Sequence, residues 1–286
     1  HKSLVPGRNL SALLRRGGGK MISTPLLKRS LWSGFKLMIP FIAILAMYSV
    51  MIIWMYDPEL SKSLDQFQDI MPDLMAAVGM TGSTGTLIEF IHTYLYGFIM
   101  LFIPIIYVIM LANKFIMRYV DNGSIACILA TANSRKRVIF TQMLSVTILV
   151  VVLIGISTAI GCVSSAVMFP GDLDVTRYLK LNGAVVLFDL AISGICVFAA
   201  CFFNESRWYL ALGGGLPLVF YVIQMMANMG DKLENLRYVT IYTLMPGQDI
   251  LAGTGNVALC CITMVLIWLI FYAAGGLIFI KKDLSV

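Results

Sequence analysis

Few side chains in this sequence combine the type and the spacing that catalysis or ligand binding requires. His92 is the single histidine beyond residue 20, and it follows Glu89 by three residues. Because residues three apart share one face of a helix, the two form either a substrate-contacting or proton-linked pair or a pair facing lipid head groups. Ser157 could act as a nucleophile only beside a general base, and His92 is expected at the outer end of another helix. We therefore predict no catalytic residue and no metal site.

Two polar residues stand inside apolar stretches of the sequence. Asp189 lies near the midpoint of one stretch, and Gln224 lies in the next. Since a charge at membrane depth is costly, Asp189 is expected to face the protein interior, to be protonated or to pair with a polar neighbour. Both residues either line a translocation path or form hydrogen bonds between helices. Together with Glu89 and His92, they form the candidate translocation-path set.

The composition indicates a membrane protein. Of 286 residues, 59% are hydrophobic and 13% are charged, whereas a soluble domain carries about a quarter charged residues. The apolar residues fall in long continuous blocks without the alternation of a barrel strand, which favours membrane-spanning helices. The sequence predicts six spans, at about 37–56, 87–112, 138–169, 178–203, 208–229 and 257–280. Residues 230–255 are expected to form either two short helices or a re-entrant piece.

The first 20 residues are set apart by their charge. They contain five basic residues, no acid and no apolar core, so we interpret 1–20 as a leader or linker and 21–286 as a single transmembrane domain. The net charge of +6 comes mostly from this leader, which gives nucleic-acid binding no support. The six cysteines all fall in predicted spans or in the segment between the second and third spans, so no disulfide framework is expected.

The distribution of Lys and Arg predicts the orientation. Most of those beyond the leader fall on the side that carries the segment from Asn113 to Gln142. Because positive loops stay on the cytosolic side, both termini are expected in the cytosol, with six spans crossing the plasma membrane between them.

The connector, defined here as residues 113–142, is the longest polar interruption on that side. Asp121-Asn122-Gly123-Ser124 is typical of a turn followed by a helix cap. The residues after it, Ile125, Ile128 and Leu129, have the spacing of one apolar helix face. A short amphipathic helix between two spans could dock in a groove of a soluble partner. The alternative is a basic loop that only sets the topology.

The connector resembles that of permease subunits in type-2 ABC exporters. In that family an acidic-glycine-Ser/Thr turn precedes a short coupling helix and a Pro-x-Ser-Arg-like turn. Here Ser134 and Arg135 match the end of that turn, while no proline stands two residues before Ser134. The order of three further features is also similar: an amphipathic helix over about 24–36, the run 70–79 with its Leu/Met-Pro-acid pattern, and the basic-basic-Asp-Leu ending at 281–284.

The resemblance implies an all-α membrane protein of six transmembrane helices with an N-terminal interfacial elbow helix and a cytosolic coupling helix. It implies ATPase coupling through the following residues: Arg118, Asp121, Asn122, Gly123, Ser124, Ile125, Ile128, Leu129, Ser134 and Arg135. It also implies two partner ATPase subunits and a second permease copy, in a homodimer. ATP and Mg would bind the ATPase chain, since this sequence lacks the Gly-x-x-x-x-Gly-Lys-Ser/Thr motif.

The expected cargo is an amphipathic peptide, a toxin or an antibiotic-like molecule, of the kind carried by exporters of phenol-soluble modulins. That expectation rests on likeness to the family alone. Two alternatives stay open: an ATP-independent transporter or channel of six helices, and an intramembrane enzyme that uses Ser157 or His92.

Leu129→Asp and Arg135→Glu test the coupling assignment. The first places a charge on the apolar face of the coupling helix, and the second reverses a charge beside it. We expect transport to fall about tenfold, equivalent to about 1.4 kcal/mol of coupling, while ATP hydrolysis and folding persist. Transport and hydrolysis are measured together in vesicles, and normal transport by both variants would show that the assignment is wrong.

Overall fold

The computed structural model describes residues 22–57, 59, 63, 66, 69–77, 80, 84–121, 134–228, 235 and 238–281. Within these ranges the chain is helical and contains no strand. Most of the expected coupling helix, residues 122–133, lies outside the described residues, as does the end of the basic tail. In the described part of the chain, six helices are long and apolar enough to cross a membrane, so the chain is a multi-pass membrane protein.

Within the described residues of the first half of the chain, three helical units have defined bounds. They are α1 (Thr24–Trp54), α2 (Pro72–Ala77) and a long broken unit made of α3 (Leu87–Ile91), a π-helical turn (His92–Tyr96), α4 (Ile99–Ala112), a second π turn (Asn113–Met117) and α5 (Arg118–Asp121). The break falls at Phe98, whose backbone leaves the helical region at φ −133° and ψ −63°. The membrane-crossing helix therefore runs from Ile99 to Asp121 rather than from the expected Leu87.

The second half begins with two long helices, α6 (Arg135–Met168) and α7 (Val175–Phe202). A third unit follows, made of α8 (Ser206–Trp208), a π turn (Tyr209–Gly214) and α9 (Gly215–Asn228). Two short elements, a 3-10 turn (Ile241–Leu244) and α10 (Gly247–Ala252), precede the last helix α11 (Val257–Lys281). We call the end of the bundle that carries residues 113–121, 134–137 and 203–208 the connector end.

The expected elbow helix is not a separate element. Residues 24–36 form the first turns of α1, which continues without a break through Pro40. Two polar contacts fix this part of α1 against its neighbours. Ser30 donates to the side-chain oxygen of Gln142 on α6 at 2.8 Å, and Tyr107 on α4 donates to the carbonyl of Gly34 at 3.2 Å. The amphipathic pattern predicted the helix correctly, but it carried no information about a bend.

Helix α7 is the centre of the bundle. It packs against α11, α4 and α6, and its side chains are buried along most of its length. Close approach to α11 depends on small residues, because a Cβ at Gly194 would lie 3.2 Å from the backbone of Trp268. Such small-residue contacts take the place of the hydrophobic effect between helices in lipid. By contrast, few side chains of α11 are fully buried.

Residues 238–252 enter the bundle at the end opposite the connector end. The ring of Tyr242 packs 5.0 Å from that of Phe188, at the middle of α7. Its hydroxyl donates to the carbonyl of Pro217 in α9 at 3.2 Å. Of the two interpretations of this segment from the sequence, the described residues show the two short helical elements. Because these pack into the bundle, we call residues 238–252 the re-entrant segment. Non-helical backbone at this depth is tolerated because protein surrounds it.

Candidate functional site

A polar cavity of about 500 Å³ lies at the end opposite the connector end. Its walls come from the π turn after α3, the end of α9 and the re-entrant segment. Its polar lining residues are His92, Tyr96, Gln224, Asn228, Tyr242, Thr243, Gln248 and Asp249. Polar groups that converge on a concave surface of this size are typical of ligand sites.

His92 projects from the π turn against the start of α10. A Cβ on Gly247 would overlap the Nε2 of His92, so only glycine permits this close approach. The His92 ring is also nearly parallel to that of Tyr96, with centroids 6.5 Å apart. His92 precedes the membrane-crossing part of its helix, and burial lowers the pKa of its imidazole to about 4. The side chain is therefore neutral at pH 7 and able both to donate and to accept a hydrogen bond.

Four polar side chains fix the re-entrant segment to α9. The Gln224 oxygen accepts hydrogen bonds from Thr240 and, at 3.3 Å, from Thr243. The Gln224 amide nitrogen donates to Asn228 at 3.1 Å. We call these residues the amide latch. Because the latch satisfies both ends of the Gln224 side chain, it holds the 3-10 turn in one position against α9.

An apolar groove of about 820 Å³ lies on the other side of the same turn. It opens between α7, α9 and α11 and is lined almost entirely by apolar side chains, among them Phe198, Phe202, Leu216, Phe220 and Phe271. Thr243 borders both the groove and the polar cavity. The 3-10 turn (Ile241–Leu244) therefore separates the apolar groove from the polar cavity, and we call this turn the septum.

Asp189 lies behind the septum rather than in the cavity. It is 0% exposed, and neither carboxyl oxygen has a hydrogen-bond partner in the described part of the chain. Tyr242 is close enough to interact with it electrostatically, although the Tyr242 hydroxyl donates to Pro217 instead. The carboxyl is thus a buried polar group that the present position of the turn leaves unsatisfied.

The structure brings together two of the four expected translocation-path residues. His92 and Gln224 line the same cavity, while Asp189 lies behind Tyr242. Glu89 accepts a hydrogen bond from the backbone N–H of Thr86 at 3.1 Å and completes a capping box at the start of α3. The Glu89 carboxylate is therefore part of a local helix cap.

Sequence reasoning missed the residues of the re-entrant segment that border this site. Thr240, Tyr242, Thr243 and Asp249 lie in the stretch 230–255, for which the sequence predicted only the kind of structure and no site residue. The available signal was the three-residue spacing of the two threonines, which puts both on one side of a tight helical turn. Nothing in the sequence indicated that Gln224, 16 residues before Thr240, would receive them.

At the connector end, four of the expected coupling residues can be described: Arg118, Asp121, Ser134 and Arg135. Asp121 accepts a hydrogen bond from the hydroxyl of Ser206, the first residue of α8, at 2.7 Å. Ser134 caps α6 by accepting from the backbone N–H of Arg137 at 3.3 Å. The other expected coupling residues, Asn122, Gly123, Ser124, Ile125, Ile128 and Leu129, lie outside the described residues.

Ser157 contacts its own helix rather than a general base. Its hydroxyl donates to the carbonyl of Leu153 at 3.1 Å, whereas His92 lies against α10. Within the described ranges, no cluster of three His, Cys, Asp or Glu residues could hold a metal ion.

A comparison with models of protein families gives no match, and a comparison with curated proteins gives none either.

The lowered pKa of His92 predicts a loss of stability in acid. The unfolded chain takes up a proton near pH 6.5 and the folded chain only near pH 4, so the stabilisation from neutral His92 is complete above pH 6.5 and declines as the pH falls toward 4. Relative to His92→Gln, the wild type should lose about 2 kcal/mol between pH 7.5 and pH 5.

Chemical unfolding of both proteins in neutral detergent at the two pH values measures this difference. The glutamine variant keeps Asp249 and every other titrating group, so it subtracts their contributions. Equal pH dependence in the two proteins would contradict the burial of a neutral histidine.

Proposed function

We propose that this chain is the permease subunit of an ATP-driven ABC exporter of the type-2 kind. It moves an amphipathic peptide, toxin or antibiotic-like cargo out of the cell, using ATP hydrolysed on a separate chain. The observation that carries the proposal is the meeting of an apolar groove and a polar cavity at one latched turn. Such a pair of spaces suits a cargo that has both an apolar and a polar face.

The cargo takes a route past the septum. Its apolar part lies in the groove between α9 and α11, and its polar part reaches the cavity of His92, Gln224 and Asp249 when the turn moves. Backbone groups of the turn that lose their partners during this movement can bond to cavity water, since this face of the turn is polar. The phenylalanines of the groove offer a surface without fixed polar partners, which tolerates cargo of variable shape.

Movement of the septum is driven from the connector end. Asp121, within the connector, accepts a hydrogen bond from the hydroxyl of Ser206 at 2.7 Å. Ser206 begins the unit that passes through the π turn Tyr209–Gly214 into α9, which carries Gln224. A π turn is a weak point in a helix and often marks a functional site. A push on the connector by a partner ATPase would thus reach the amide latch through a single helical unit.

In this proposal the connector end faces the cytosol, two ATPase subunits dock on residues 118–135, and a second copy of the chain completes the permease. The proposal follows the basic charge of the connector and its resemblance to coupling segments of type-2 permeases.

Recovery of the chain from native membranes tests the ATPase partnership. We expect an ABC ATPase to copurify in equal amount and to hydrolyse ATP, as measured by mass spectrometry and phosphate release. Recovery of the chain alone, without ATPase activity, would favour the ATP-independent transporter.

Removing the latch tests the septum. In Thr240→Val with Thr243→Val, the shape of the turn is kept while its hydrogen bonds to Gln224 are lost, at a cost of about 1–3 kcal/mol. We expect vesicles that contain the complex to hydrolyse ATP normally and to export a fluorescent amphipathic peptide at least about fivefold less per ATP.

Thr263→Val is the matched control, because the Thr263 hydroxyl donates to Leu259 in its own helix on an exposed part of α11. Unchanged export by the latch variant, or an equal loss in the control, would remove the septum from the mechanism.

A further inference from the structure

A second polar cavity, of about 260 Å³, lies at the connector end between α1 and the helix that carries the second π turn. Its lining residues are Arg29, Ser30, Ser33, Lys114, Phe115, Arg118 and Tyr119. Three of them are cations and none is an acid. We call this space the basic cavity.

Within the described residues, no acid forms an ion pair with any of the three cations. In the described part of the chain, ion pairs join Arg177 to Asp174 and Arg207 to Glu205, and neither pair touches the basic cavity. Lys36 and Arg118 both lie close enough to repel the charge of Lys114. Several cations held together in one concavity raise the local potential, which favours the binding of an anion.

Lys114 is held in place before any ligand arrives. Its ammonium group donates to the carbonyl of Ser33 on α1 at 3.0 Å, leaving donors free for another partner. Lys114 lies in the second π turn. The i→i+5 hydrogen bonds of this turn rotate the side chains relative to those of a regular α-helix. Arg29 and Arg118, on opposite walls, are exposed enough to close on a ligand.

The basic cavity lies at the level of lipid head groups. Trp32, one turn from Arg29, is 63% exposed, and Lys36 lies 5.3 Å from the centre of its ring. Exposed tryptophan beside basic residues is typical of the boundary between the apolar core of a bilayer and water. Beyond this level α1 continues as an almost uninterrupted apolar helix.

We propose that the basic cavity binds the phosphate group of an anionic phospholipid in the leaflet at the connector end. Arginine guanidinium groups bind phosphate oxygens in pairs of parallel hydrogen bonds, and lysine adds a point charge. Basic pockets between transmembrane helices are known to take anionic head groups. The volume suits a head group whose acyl chains stay in the bilayer beside α1. Bound phosphate links α1 to the helix that leads into the connector.

This inference does not depend on the proposed transport function. It requires only the cavity, its charges and its level in the membrane. A soluble phosphate offers the same chemistry, so the experiment must separate the two sources.

The test uses the full chain, purified and delipidated in neutral detergent. Dioleoyl phosphatidylglycerol and dioleoyl phosphatidylcholine are titrated separately, and bound lipid is counted by native mass spectrometry. We expect one phosphatidylglycerol to bind at least about tenfold more tightly than phosphatidylcholine. The double variant Arg29→Gln, Arg118→Gln should remove that preference.

The matched control is Lys28→Gln with Lys136→Gln. It also removes two positive charges, but from exposed positions at the same end of the bundle that lie outside the basic cavity. The control should bind phosphatidylglycerol within about twofold of the wild type. An equal loss in both double variants would show diffuse attraction to the basic surface and overturn the site.

Two comparisons on the unmodified chain keep the inference testable if a variant fails to fold. Equal binding of the two lipids would overturn it. Displacement of phosphatidylglycerol by inorganic phosphate, but not by chloride at equal ionic strength, would support the site and identify soluble phosphate as its ligand.

Discussion

The structure depends on one constraint: polar groups inside the membrane must find partners within the protein. Asn182 accepts a hydrogen bond from Tyr96 at 2.8 Å, and the carbonyl of Ile109 accepts one from Tyr209 at 2.8 Å. Pro217 has no N–H to offer the carbonyl of Gly213, four residues earlier, and that oxygen receives the thiol of Cys196 at 3.7 Å. Each of these bonds joins different helices and so fixes the arrangement of the bundle.

The re-entrant segment meets the same constraint in a way that shapes both candidate spaces. The Tyr242 hydroxyl donates to Pro217 in the first turn of α9, and the amide latch bonds farther along the same helix, so hydrogen bonds tie the segment to α9 rather than to α11. Its insertion beside α9 leaves the apolar groove open between α9 and α11. The packing of the re-entrant segment against α9 therefore determines the shape of both the apolar groove and the polar cavity.

Local pattern predicted the long helices because a continuous apolar run of this length has few other stable structures. It did not predict the continuity of α1, because a bent helix and a straight helix have the same amphipathic residue pattern. The spaces that carry the proposals depend on residues far apart in the sequence. Thr243 meets Gln224, and Lys114 meets Ser33, only after the helices have packed. No periodicity within one element encodes such pairs.

In the proposed transport mechanism, the unpartnered carboxyl of Asp189 favours movement of the septum. A turn that satisfied every polar group around it would be held too firmly to act as a gate. Here the closed turn commits the hydroxyl of Tyr242 to Pro217 and leaves the neighbouring carboxyl without a partner in the described residues. An unsatisfied buried group costs about 1–3 kcal/mol, which offsets part of the stability of the latch. In the proposed mechanism, displacement of the turn would open Asp189 to the cavity and relieve that cost. The free-energy difference between the two positions of the turn would then be smaller than the latch alone would give, as a switch between two states requires.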